Sequence, residues 1–598
     1  MIKSNVVIID SGISIEKYSD VLGIGIEYLD DGFVASKQMN DAVGHGTIIY
    51  SIINKYVNDD QIFVIKLPDQ PDQRNDACLV FALKYIKQNI DCKIINISLG
   101  IRSTEYIDEL YSICKELSDM GRIIVSAFDN EGCYSYPASY DCIIGVDTLS
   151  GIKNINDFLF VESSPINILA KGSLQRITTC DGRKVIVSGT SIACANITSI
   201  IAGFITDEMD FQNVLSYLKS MSSGIYRCRS KVSLSKSEPF MIGAAAVFPF
   251  TKETHALVRF GDMLSFHINE FYDVRYSGKV GRQISAYFED VKCDKIISNI
   301  DSLNVTNVDT IILGHLDEIN SILGYDYRED IIKKAIKNGI NIYSFDPLDQ
   351  YINVLNSENI KYYFPNVTKD DVPQNTFGKL YKIDKPVLGI YGTSSKQGKF
   401  SLQLTIKHIL ESMGYNVGAV GTEPHSLLFG LDVVFPMGYN STVRLSNNDI
   451  VLYLNNEINK LCRRGKEIIL TASQAQTVPY YCNNILEFPN MQYHFALGTQ
   501  PDAIVLCVNI FDELSYIRNS VYALVGLTRA SVVAFVVFPL TFIGDWKEVF
   551  GSSKRKITDK EFGQFADTLK KEFNKPVFLL GEKQHMEDLC REIVNFSE

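Results

Sequence analysis

Short, continuous runs of apolar residues, many of them β-branched, recur along the chain between longer amphipathic or polar stretches. The first run, Val-Val-Ile-Ile at residues 6–9, does not alternate with polar residues, which is typical of a parallel strand buried on both faces. Comparable runs stand at residues 387–391, 417–422, 467–471 and 503–507. Strands of this kind separated by helical stretches predict an α/β protein with parallel sheets.

The middle of the chain carries the same pattern on a smaller scale. Apolar strands are predicted at residues 240–247, 309–314 and 340–343, with a helical stretch near residues 331–338 between the last two. Strand, helix and strand in this order indicate a βαβ unit and therefore a small, Rossmann-like parallel sheet.

These patterns predict three domains. Residues 1–205 form the first, and the serine-rich and lysine-rich stretch 206–238 is interpreted as a polar linker. A Rossmann-like α/β domain is predicted for residues 239–385 and a third α/β domain for residues 386–598. At roughly 150 residues per domain, a chain of 598 residues has room for three or four.

Composition narrows the range of partners. The formal net charge of −12 argues against a nucleic-acid-binding surface. Thirteen scattered cysteines without a CxxC motif indicate reduced thiols rather than a disulfide framework or a zinc site. No apolar run reaches the ~18 residues that span a bilayer, and residues 1–9 leave no room for a signal peptide. We therefore expect a cytoplasmic protein that binds neither nucleic acid nor membrane.

Three short strings in the first 200 residues carry candidate chemistry. Asp10 ends the first apolar run, His45 lies between two glycines, and Ser191 follows Gly-Thr. Acyl transfer by a serine needs a hydroxyl nucleophile, a base with a pKa near neutrality and a carboxylate that orients the base. Asp, His, Ser is the chain order of subtilisin-type enzymes, and not of chymotrypsin-like or α/β-hydrolase enzymes.

Local sequence around each residue suits this chemistry. A strand ending at Asp10 would present its carboxylate at the carboxyl end of the sheet, and the flanking glycines allow close packing of the backbone around His45. The small residues after Ser191 predict a buried helix that begins there. The amides and dipole of a helix N-terminus favour a developing negative charge.

Together with further segments, these strings resemble the subtilase family of serine proteases. Residues 95–100 resemble the strand that pairs with substrate backbone, which implies substrate binding by Ser98, Leu99 and Gly100. Residues 125–132 resemble the oxyanion segment, with Asn130 as the side-chain donor. The resemblance thus implies an endopeptidase that acts on a peptide or protein and needs no cofactor for proteolysis.

Two residues depart from the family pattern next to the oxyanion segment. Phe128 and Asp129 stand where the family has a small residue and glycine, at positions that wall the pocket for the residue before the cut. Phe128 would fill this pocket and favour glycine or alanine, whereas Asp129 would attract a basic residue. Both alternatives stay open at the level of sequence.

A glycine-rich loop follows the predicted strand 387–391. A loop between strand and helix can surround a phosphate with amides, and Lys399 would contact the outer phosphates. The segment departs from GxxxxGK[ST] because five residues separate its glycines and Phe400 replaces the hydroxyl that binds magnesium. It resembles the loop of dethiobiotin-synthetase-like P-loop proteins. This resemblance implies that the loop binds ATP or another NTP, together with magnesium. The residues expected to bind the nucleotide are Gly392, Thr393, Ser394, Gly398, Lys399 and Ser401.

Ligands for the magnesium ion are predicted at Ser401, Glu423 and Asp432. Where a Walker B carboxylate would be expected, the strand 467–471 leads into Ser473 and Gln474. In the middle domain, His255, His267 and His315 lack metal-ligand spacing and are interpreted as structural.

The middle and third domains together also resemble accessory proteins of bacterial peptide natural-product maturation. This resemblance implies a protease that processes one dedicated ribosomal peptide. Two alternatives from other classes are a nucleotide-dependent peptide-modifying ligase or transferase with a secondary protease domain, and a non-catalytic sensor or scaffold.

Overall fold

A computed structural model gives the fold and describes most of the chain. The described residues are 2–29, 32–58, 61–68, 76–102, 105–130, 133–149, 151–173, 175–178, 184–226, 237–288, 291–438, 440–480, 488–542 and 554–597. The chain divides into two compact units: Met1–Lys231 with Pro373–Asp384, and Val232–Val372 with Lys385–Glu598.

The first unit is built on a ten-stranded sheet. The strands of this unit are β1 (Ile2–Lys3), β2 (Val6–Asp10), β3 (Leu22–Leu29), β4 (Gly32–Ser36), β5 (Ile62–Lys66), β6 (Ile90–Asp91), β7 (Ile94–Ile97), β8 (Ile123–Ala127), β9 (Ile144–Thr148), β10 (Phe158–Val161), β11 (Ile168–Ala170), β12 (Gln175–Thr178), β13 (Lys184–Val187) and β14 (Gly224–Tyr226). Outside the ten-stranded sheet, β1 pairs with β6 and β12 pairs with β13. The helices are α1 (His45–Ile53), α2 (Asp76–Asn89), α3 (Ile107–Asp119), α4 (Thr190–Ala202) and α5 (Phe211–Met221).

The order of the large sheet is β14-β10-β11-β9-β8-β7-β2-β5-β3-β4. Its central strands, from β5 through β2, β7 and β8 to β9, are all parallel. Val6 and Ile8 pack into one core with α1 and α4, and Val7 and Ile9 pack into another with α2 and α3. Because both faces of β2 are covered, every position of the strand is apolar except its last.

The predicted linker 206–238 is largely ordered where it is described. Residues 211–221 form α5, which has a capping box at Asp210, and β14 pairs in parallel with β10 at the edge of the large sheet. Phe211, Val214 and Leu218 pack into the core, so the apolar spacing of a helix is present among the polar residues. Residues 227–236 of the linker lie outside the described residues.

The second unit contains two parallel sheets. The first has strands β15 (Ala244–Phe248), β16 (His267–Asp273), β17 (Ile297–Asn299), β18 (Thr310–Leu313), β19 (Asn341–Ser344) and β20 (Tyr362–Tyr363), in the order β17-β16-β15-β18-β19-β20. Its helices are α6 (His255–Arg259), α7 (Asp317–Leu323), α8 (Tyr327–Asn338) and α9 (Ile352–Ser357).

The second of these sheets has the order β23-β22-β24-β21-β25-β26-β29. Its strands are β21 (Val387–Gly392), β22 (Val417–Gly421), β23 (Val433–Val434), β24 (Ile468–Ala472), β25 (Ala503–Val508), β26 (Ser531–Val537) and β29 (Val577–Leu579), with β27 (Leu540–Phe542) and β28 (Lys554–Lys556) forming a separate hairpin. The helices are α10 (Lys399–Ser412), α11 (Asn447–Arg463), α12 (Asn490–Thr499), α13 (Leu514–Thr528), α14 (Asp559–Phe573) and α15 (Lys583–Ser597).

The predicted α/β class with parallel sheets is confirmed, and the predicted domain boundaries differ from the two units. The strands expected at 309–314, 340–343, 387–391 and 503–507 are present within one or two residues. The two predicted C-terminal domains form one unit because they share a hydrophobic core. No helix among the described residues is long and apolar enough to cross a membrane.

Candidate functional site

Asp10 and His45 meet at the carboxyl end of the large sheet. Asp10 is the last residue of β2, and His45 is the first residue of α1. His45 Nδ1 lies 2.7 Å from Asp10 Oδ1, which also accepts a hydrogen bond of 2.7 Å from the Ser11 amide. Asp10 is 6 % exposed, so this carboxylate holds the imidazole from a buried position. A carboxylate at Nδ1 leaves Nε2 as the basic nitrogen.

The loop before α1 is organised by Asp41, a residue that sequence reasoning missed. Its carboxylate accepts hydrogen bonds from the Gly44 and Thr47 amides, at 2.7 and 2.8 Å, and from the Ser11 and Thr47 hydroxyls. Burial acts to raise its pKa, but these hydrogen bonds hold the pKa below its ordinary value. Asp41 therefore ties the start of the helix that carries His45 to the residue after Asp10.

The glycine after His45 has a steric role. A Cβ at Gly46 would lie 2.3 Å from the Gly12 carbonyl oxygen and 3.2 Å from Asp10 Cβ. Only glycine lets the start of α1 approach the end of β2 this closely. The close packing predicted from the flanking glycines is therefore present at Gly46, whereas Gly44 has left-handed φ of 84°.

Ser191 is the second residue of α4 and is 7 % exposed. Its Oγ lies 3.4 Å from the carbonyl oxygen of Ser98, the first residue of the predicted substrate-binding segment after β7. The helix start thus brings the candidate nucleophile against that segment.

Asn130 lies beside the start of α4 after the end of β8. Its Oδ1 accepts a hydrogen bond of 3.0 Å from the Thr190 amide and another from the Thr190 hydroxyl. With Oδ1 engaged, Nδ2 is the amide group available as a donor. A Cβ built on Gly189 would lie 3.8 Å from Asn130 Nδ2 and 4.0 Å from the Ser191 amide, so both donors border one small space. Glu131 and Gly132 of the predicted oxyanion segment lie outside the described residues.

Phe128 and Asp129 occupy different surroundings. Phe128 is 1 % exposed and packs in a cluster that includes Tyr134, Val161 and Leu169. The carboxylate of Asp129 pairs with Arg102, with 3.3 Å between Oδ2 and Nε. Arg102 follows the segment 98–100, so the ion pair joins the two segments that the resemblance assigns to the walls of the substrate cleft.

A segment distant in sequence completes this region of the first unit. Lys379, in residues 373–384, pairs with the buried Asp147 at 3.2 Å and places its Nζ 5.9 Å from the Phe128 ring centre. Tyr381 stacks on Tyr134 with ring centres 4.5 Å apart. This packing explains why residues 373–384 belong to the first unit, which no local pattern in the sequence signals.

The glycine-rich loop of the second unit lies between β21 and α10. Gly398 has φ of 72° and precedes Lys399, the first residue of the helix. Lys399 is 5 % exposed, and its Nζ donates to the Ser394 carbonyl oxygen at 2.7 Å. Burial lowers the pKa of the Lys399 amine to about 8.

Gln397 fills part of this loop. Its Oε1 accepts from the Ser394 amide at 3.0 Å, and its Nε2 donates to the Thr393 hydroxyl at 2.6 Å. A Cβ at Gly392 would lie 2.4 Å from Gln397 Oε1. The side-chain carbonyl therefore takes an amide that a phosphate oxygen in the loop would use.

Residues that follow β25 form hydrogen bonds with Thr393 and Ser394 of the loop, and sequence reasoning did not single them out. Asp512 accepts a 2.5 Å hydrogen bond from the Thr393 hydroxyl, and Tyr516 donates to the Thr393 carbonyl oxygen at 2.9 Å. Asn509 Nδ2 donates to the Ser394 hydroxyl at 3.2 Å. These contacts fix the loop's position before any ligand binds.

A cavity of about 310 Å³ lies between the loop and residues of α6 and of the loops that follow strands of the six-stranded sheet. Its lining residues are Lys252, Glu253, His255, Ala256, Arg259, Phe260, Tyr287, Phe288, His315, Lys396, Gln397, Gly398, Lys399, Phe400, Ser401, Thr422, Glu423, His425, Ser473, Gln474 and Phe538. Two of the three histidines interpreted as structural, His255 and His315, are among them, whereas His267 is exposed on β16.

The three predicted magnesium ligands are not brought together. Ser401 and Glu423 line the cavity. Asp432 is not among the lining residues: it pairs with Lys466 at 3.2 Å and accepts from the Ala419 amide at 2.9 Å. These contacts hold the Asp432 carboxylate against β22, so Asp432 is no longer a candidate ligand for magnesium. Among the described residues, no group of three or more His, Cys, Asp or Glu side chains is arranged to hold a metal.

Comparisons with known proteins find similarity over part of the chain. The chain is 25 % identical over 209 residues to proteinase T of Parengyodontium album, covering 31 % of this chain and 67 % of that protein. A solved cold-adapted subtilisin-like serine proteinase matches with 18 % identity and a TM-score of 0.30, over 36 % of this chain and 81 % of that one.

Another solved structure, a DUF1611 family protein from Anabaena variabilis, matches with 13 % identity and a TM-score of 0.40. That match covers 59 % of this chain and 99 % of the other. No protein-family model matches the chain. The comparisons thus show weak homology to subtilisin-like proteases over a partial region.

Proposed function

We propose that the first unit is a serine endopeptidase of the subtilisin type. The observation that carries the proposal is the buried Asp10 carboxylate 2.7 Å from His45 Nδ1, together with Ser191 Oγ 3.4 Å from the carbonyl oxygen of Ser98, which follows the neighbouring parallel strand β7. Partial similarity to subtilisin-like proteases supports it. Ser191 is the nucleophile, His45 the general base and then acid, and Asp10 the group that orients the imidazole.

The reaction follows from these roles. His45 Nε2 accepts the proton of the Ser191 hydroxyl as Oγ attacks the scissile carbonyl carbon, and the imidazolium is stabilised by Asp10. The carbonyl oxygen becomes negative and receives hydrogen bonds from the Ser191 amide and Asn130 Nδ2. His45 then protonates the leaving amine, and water releases the acyl group by the reverse sequence.

The residue before the cut is proposed to be small. The Phe128 ring occupies space against β9, where a Cβ at Gly145 would lie 2.8 Å from its edge. The charge of Asp129 is already compensated by Arg102 at 3.3 Å. We therefore propose that the volume of Phe128, and not the charge of Asp129, determines which residue the pocket accepts before the cut. Gly or Ala should fit between segment 98–100 and Phe128.

The proposed substrate is one dedicated peptide or protein in the cytoplasm, in the maturation of a ribosomal peptide. The support is the presence, in one chain, of a candidate protease and a second α/β unit with its own cavity. Such an arrangement suits a protease that works beside a module that binds, modifies or gates the same peptide.

Intact-mass analysis after treatment with a fluorophosphonate probe tests the peptidase. A single adduct should form on the full-length chain and disappear in Ser191→Ala, while Ser220→Ala, at an exposed serine of α5, keeps it. Absence of the adduct in the unchanged chain, with and without ATP and magnesium, would contradict the proposal and favour a scaffold. Loss of the adduct in Ser220→Ala would place the nucleophile elsewhere.

A second candidate function is nucleotide binding by the loop 392–399, with ATP or another NTP and magnesium. The observation that favours it is the buried Lys399 at the start of α10, in a loop that Asp512 and Tyr516 brace. A helix N-terminus and a lysine amine are the groups that bind phosphate. Ser401 and Glu423 are the residues of the cavity that would hold the magnesium ion.

Thermal melting with ATP and magnesium tests the loop. A ligand at 100 times its Kd stabilises its unit by about 2.7 kcal/mol, so the second unit's transition should rise. Lys399→Ala should abolish the rise, and Gln397→Ala should enlarge it by freeing the Ser394 amide. No shift at millimolar nucleotide in any of the three proteins would contradict nucleotide binding.

A further inference from the structure

Buried polar atoms without hydrogen-bond partners gather at the cavity of the second unit. Among the described residues, both ring nitrogens of His425 and the hydroxyls of Tyr287 and Ser473 are buried and unpaired. All three side chains line the cavity, and His425 is only 2 % exposed. Unpaired polar groups are costly to bury, so this lining is built for a polar ligand.

A second Asp–His pair lies at the same cavity. His315 follows β18 and Asp346 follows β19, and the two strands are parallel neighbours, so both residues emerge at one edge of the sheet. His315 Nδ1 lies 2.7 Å from Asp346 Oδ1. The other carboxylate oxygen accepts from the Leu316 amide at 2.9 Å and from Arg328 at 3.0 Å.

These contacts determine the ionisation of Asp346 and, through it, the tautomer of His315. Burial acts to raise the pKa of Asp346, but the hydrogen bonds and charges of His315, Leu316 and Arg328 hold it below its ordinary value. An ionised carboxylate at Nδ1 keeps the proton on that nitrogen and makes Nε2 the base. His315 is therefore oriented as His45 is in the first unit.

The pair and the glycine-rich loop are connected through three ring contacts. The ring of Phe345 lies 5.7 Å from His315 and 5.5 Å from His425, measured between ring centres. His425 lies 4.9 Å from Phe400, which directly follows Lys399. The candidate base and the candidate phosphate site thus line the same cavity.

Charge around the cavity favours an anion. The lining contains four basic side chains and two acidic ones. The basic side chains are Lys252, Arg259, Lys396 and Lys399, and the acidic ones are Glu253 and Glu423. Phe288, under the guanidinium of Arg259 at 5.6 Å, adds an aromatic surface. Excess cations and aromatic walls suit a nucleoside polyphosphate.

We propose that this cavity is a second active site, for phosphoryl transfer, in which His315 is the general base and Asp346 its positioning residue. The proposal rests on the phosphate site proposed for the loop 392–399. The ligand is a nucleoside triphosphate, and the acceptor is a water molecule beside His315.

His315 Nε2 accepts the proton of the acceptor, whose oxygen forms a bond to the terminal phosphorus. The bond between that phosphorus and its bridging oxygen breaks, and the nucleoside diphosphate leaves with the electron pair. Lys399 and the loop amides hold the transferred group.

The other two histidines of the cavity do not fit the role of base. Burial lowers the pKa of His255 to about 4, and both ring nitrogens of His425 are buried without a hydrogen-bond partner that would orient the ring. His255 packs between the rings of Phe250 and Phe288, with centres 4.8 and 5.1 Å away. Among these three histidines, His315 is the one with a carboxylate at hydrogen-bond distance.

The test uses the full-length chain with ATP and magnesium, and measures binding by calorimetry and phosphate release separately. His315→Gln should lower the turnover number at least about 10²-fold, the usual contribution of a general base, while the Kd for ATP stays within about threefold. His267→Gln, at an exposed histidine of the same sheet, should change neither quantity.

Asp346→Asn tests the positioning role. It should lower the turnover number without weakening ATP binding. A variant that merely destabilised the second unit would lower both the turnover number and the affinity for ATP. Melting curves of each variant show whether the second unit remains folded.

Two failures are distinguishable. ATP that binds but is not turned over, or His315→Gln that turns it over like His267→Gln, overturns the second active site and leaves the phosphate site standing. Absence of ATP binding to the unchanged chain overturns both.

Discussion

The two Asp–His pairs have the same contact and different surroundings. In both, Nδ1 lies 2.7 Å from a carboxylate oxygen. The side chain of His45 is 39 % exposed, whereas that of His315 is 9 % exposed. The second oxygen of Asp10 has no hydrogen-bond partner among the described residues, whereas that of Asp346 is held by Leu316 and Arg328.

This difference matches the size of what each pair would act on. A polypeptide has to reach a catalytic base from solvent, so an exposed imidazole suits a protease. A small anion can be enclosed, and enclosure strengthens the interaction between charges by excluding water. The same local contact would therefore serve different chemistry in the two proposed sites, because the surrounding fold controls access.

The largest effect is expected at the exposed pair. Ser191→Ala and His45→Ala should each lower peptidase turnover by about 10⁴-fold or more, because nucleophile and base act as a unit. The double variant should be little worse than either single one. Initial rates on a peptide substrate measure all three.

Ser220→Ala is the matched control for these variants and should keep full peptidase activity. Losses that multiply in the double variant would show that Ser191 and His45 act independently, which contradicts the assignment.

The next effect concerns the oxyanion donor. Asn130→Ala should lower kcat by about 10²–10³-fold with little change in KM, because the donor acts on charge that develops only in the transition state. Asn154→Ala, at an exposed asparagine of the same unit, should leave both parameters unchanged. A rise in KM with unaltered kcat would instead assign Asn130 to ground-state binding.

In the cavity of the second unit, pH should control anion binding through Lys399. Burial lowers the pKa of this amine to about 8, so the charged form predominates below pH 8 and disappears above it. Affinity for inorganic phosphate should therefore fall by up to about a hundredfold between pH 7 and pH 10, tenfold per unit above the pKa.

Lys399→Arg sharpens this prediction, because a guanidinium stays charged over the whole range. Its affinity profile, measured by calorimetry, should be flat. A flat profile in the unchanged chain would show that the Lys399 charge does not hold the anion.

The smallest effect is expected for specificity in the exposed site. Peptides with Gly or Ala before the cut should be cleaved faster than those with large aromatic residues, and Phe128→Gly should reduce this difference by about tenfold. Competition between paired peptides, read by mass spectrometry, gives the ratio of kcat/KM. A preference for Lys or Arg that Asp129→Asn removes would support the electrostatic alternative.

Local patterns in the sequence predicted much of the fold and one of the two pairs. The apolar run 6–9 predicts a buried strand because both faces of β2 are covered. Asp10 and His45 are recognisable because each stands in a short string whose neighbours have steric roles, as Gly46 does. The strand that leads into the loop 392–399 is likewise predicted from a continuous apolar run, at residues 387–391.

The tertiary structure decided what local spacing does not encode. His315 and Asp346 are 31 residues apart and meet because β18 and β19 are parallel neighbours. Arg102 reaches Asp129, and Lys379 reaches Asp147, from positions with no shared motif.

The physical reason is the range of the interactions. By itself the sequence determined the strands, the helix starts and the glycine-framed residues, because backbone conformation and burial periodicity depend on near neighbours. Which side chains face each other across an edge depends on strand order, and strand order is set by the packing of whole layers. Only the folded chain therefore showed that His315 is paired with a carboxylate at a cavity.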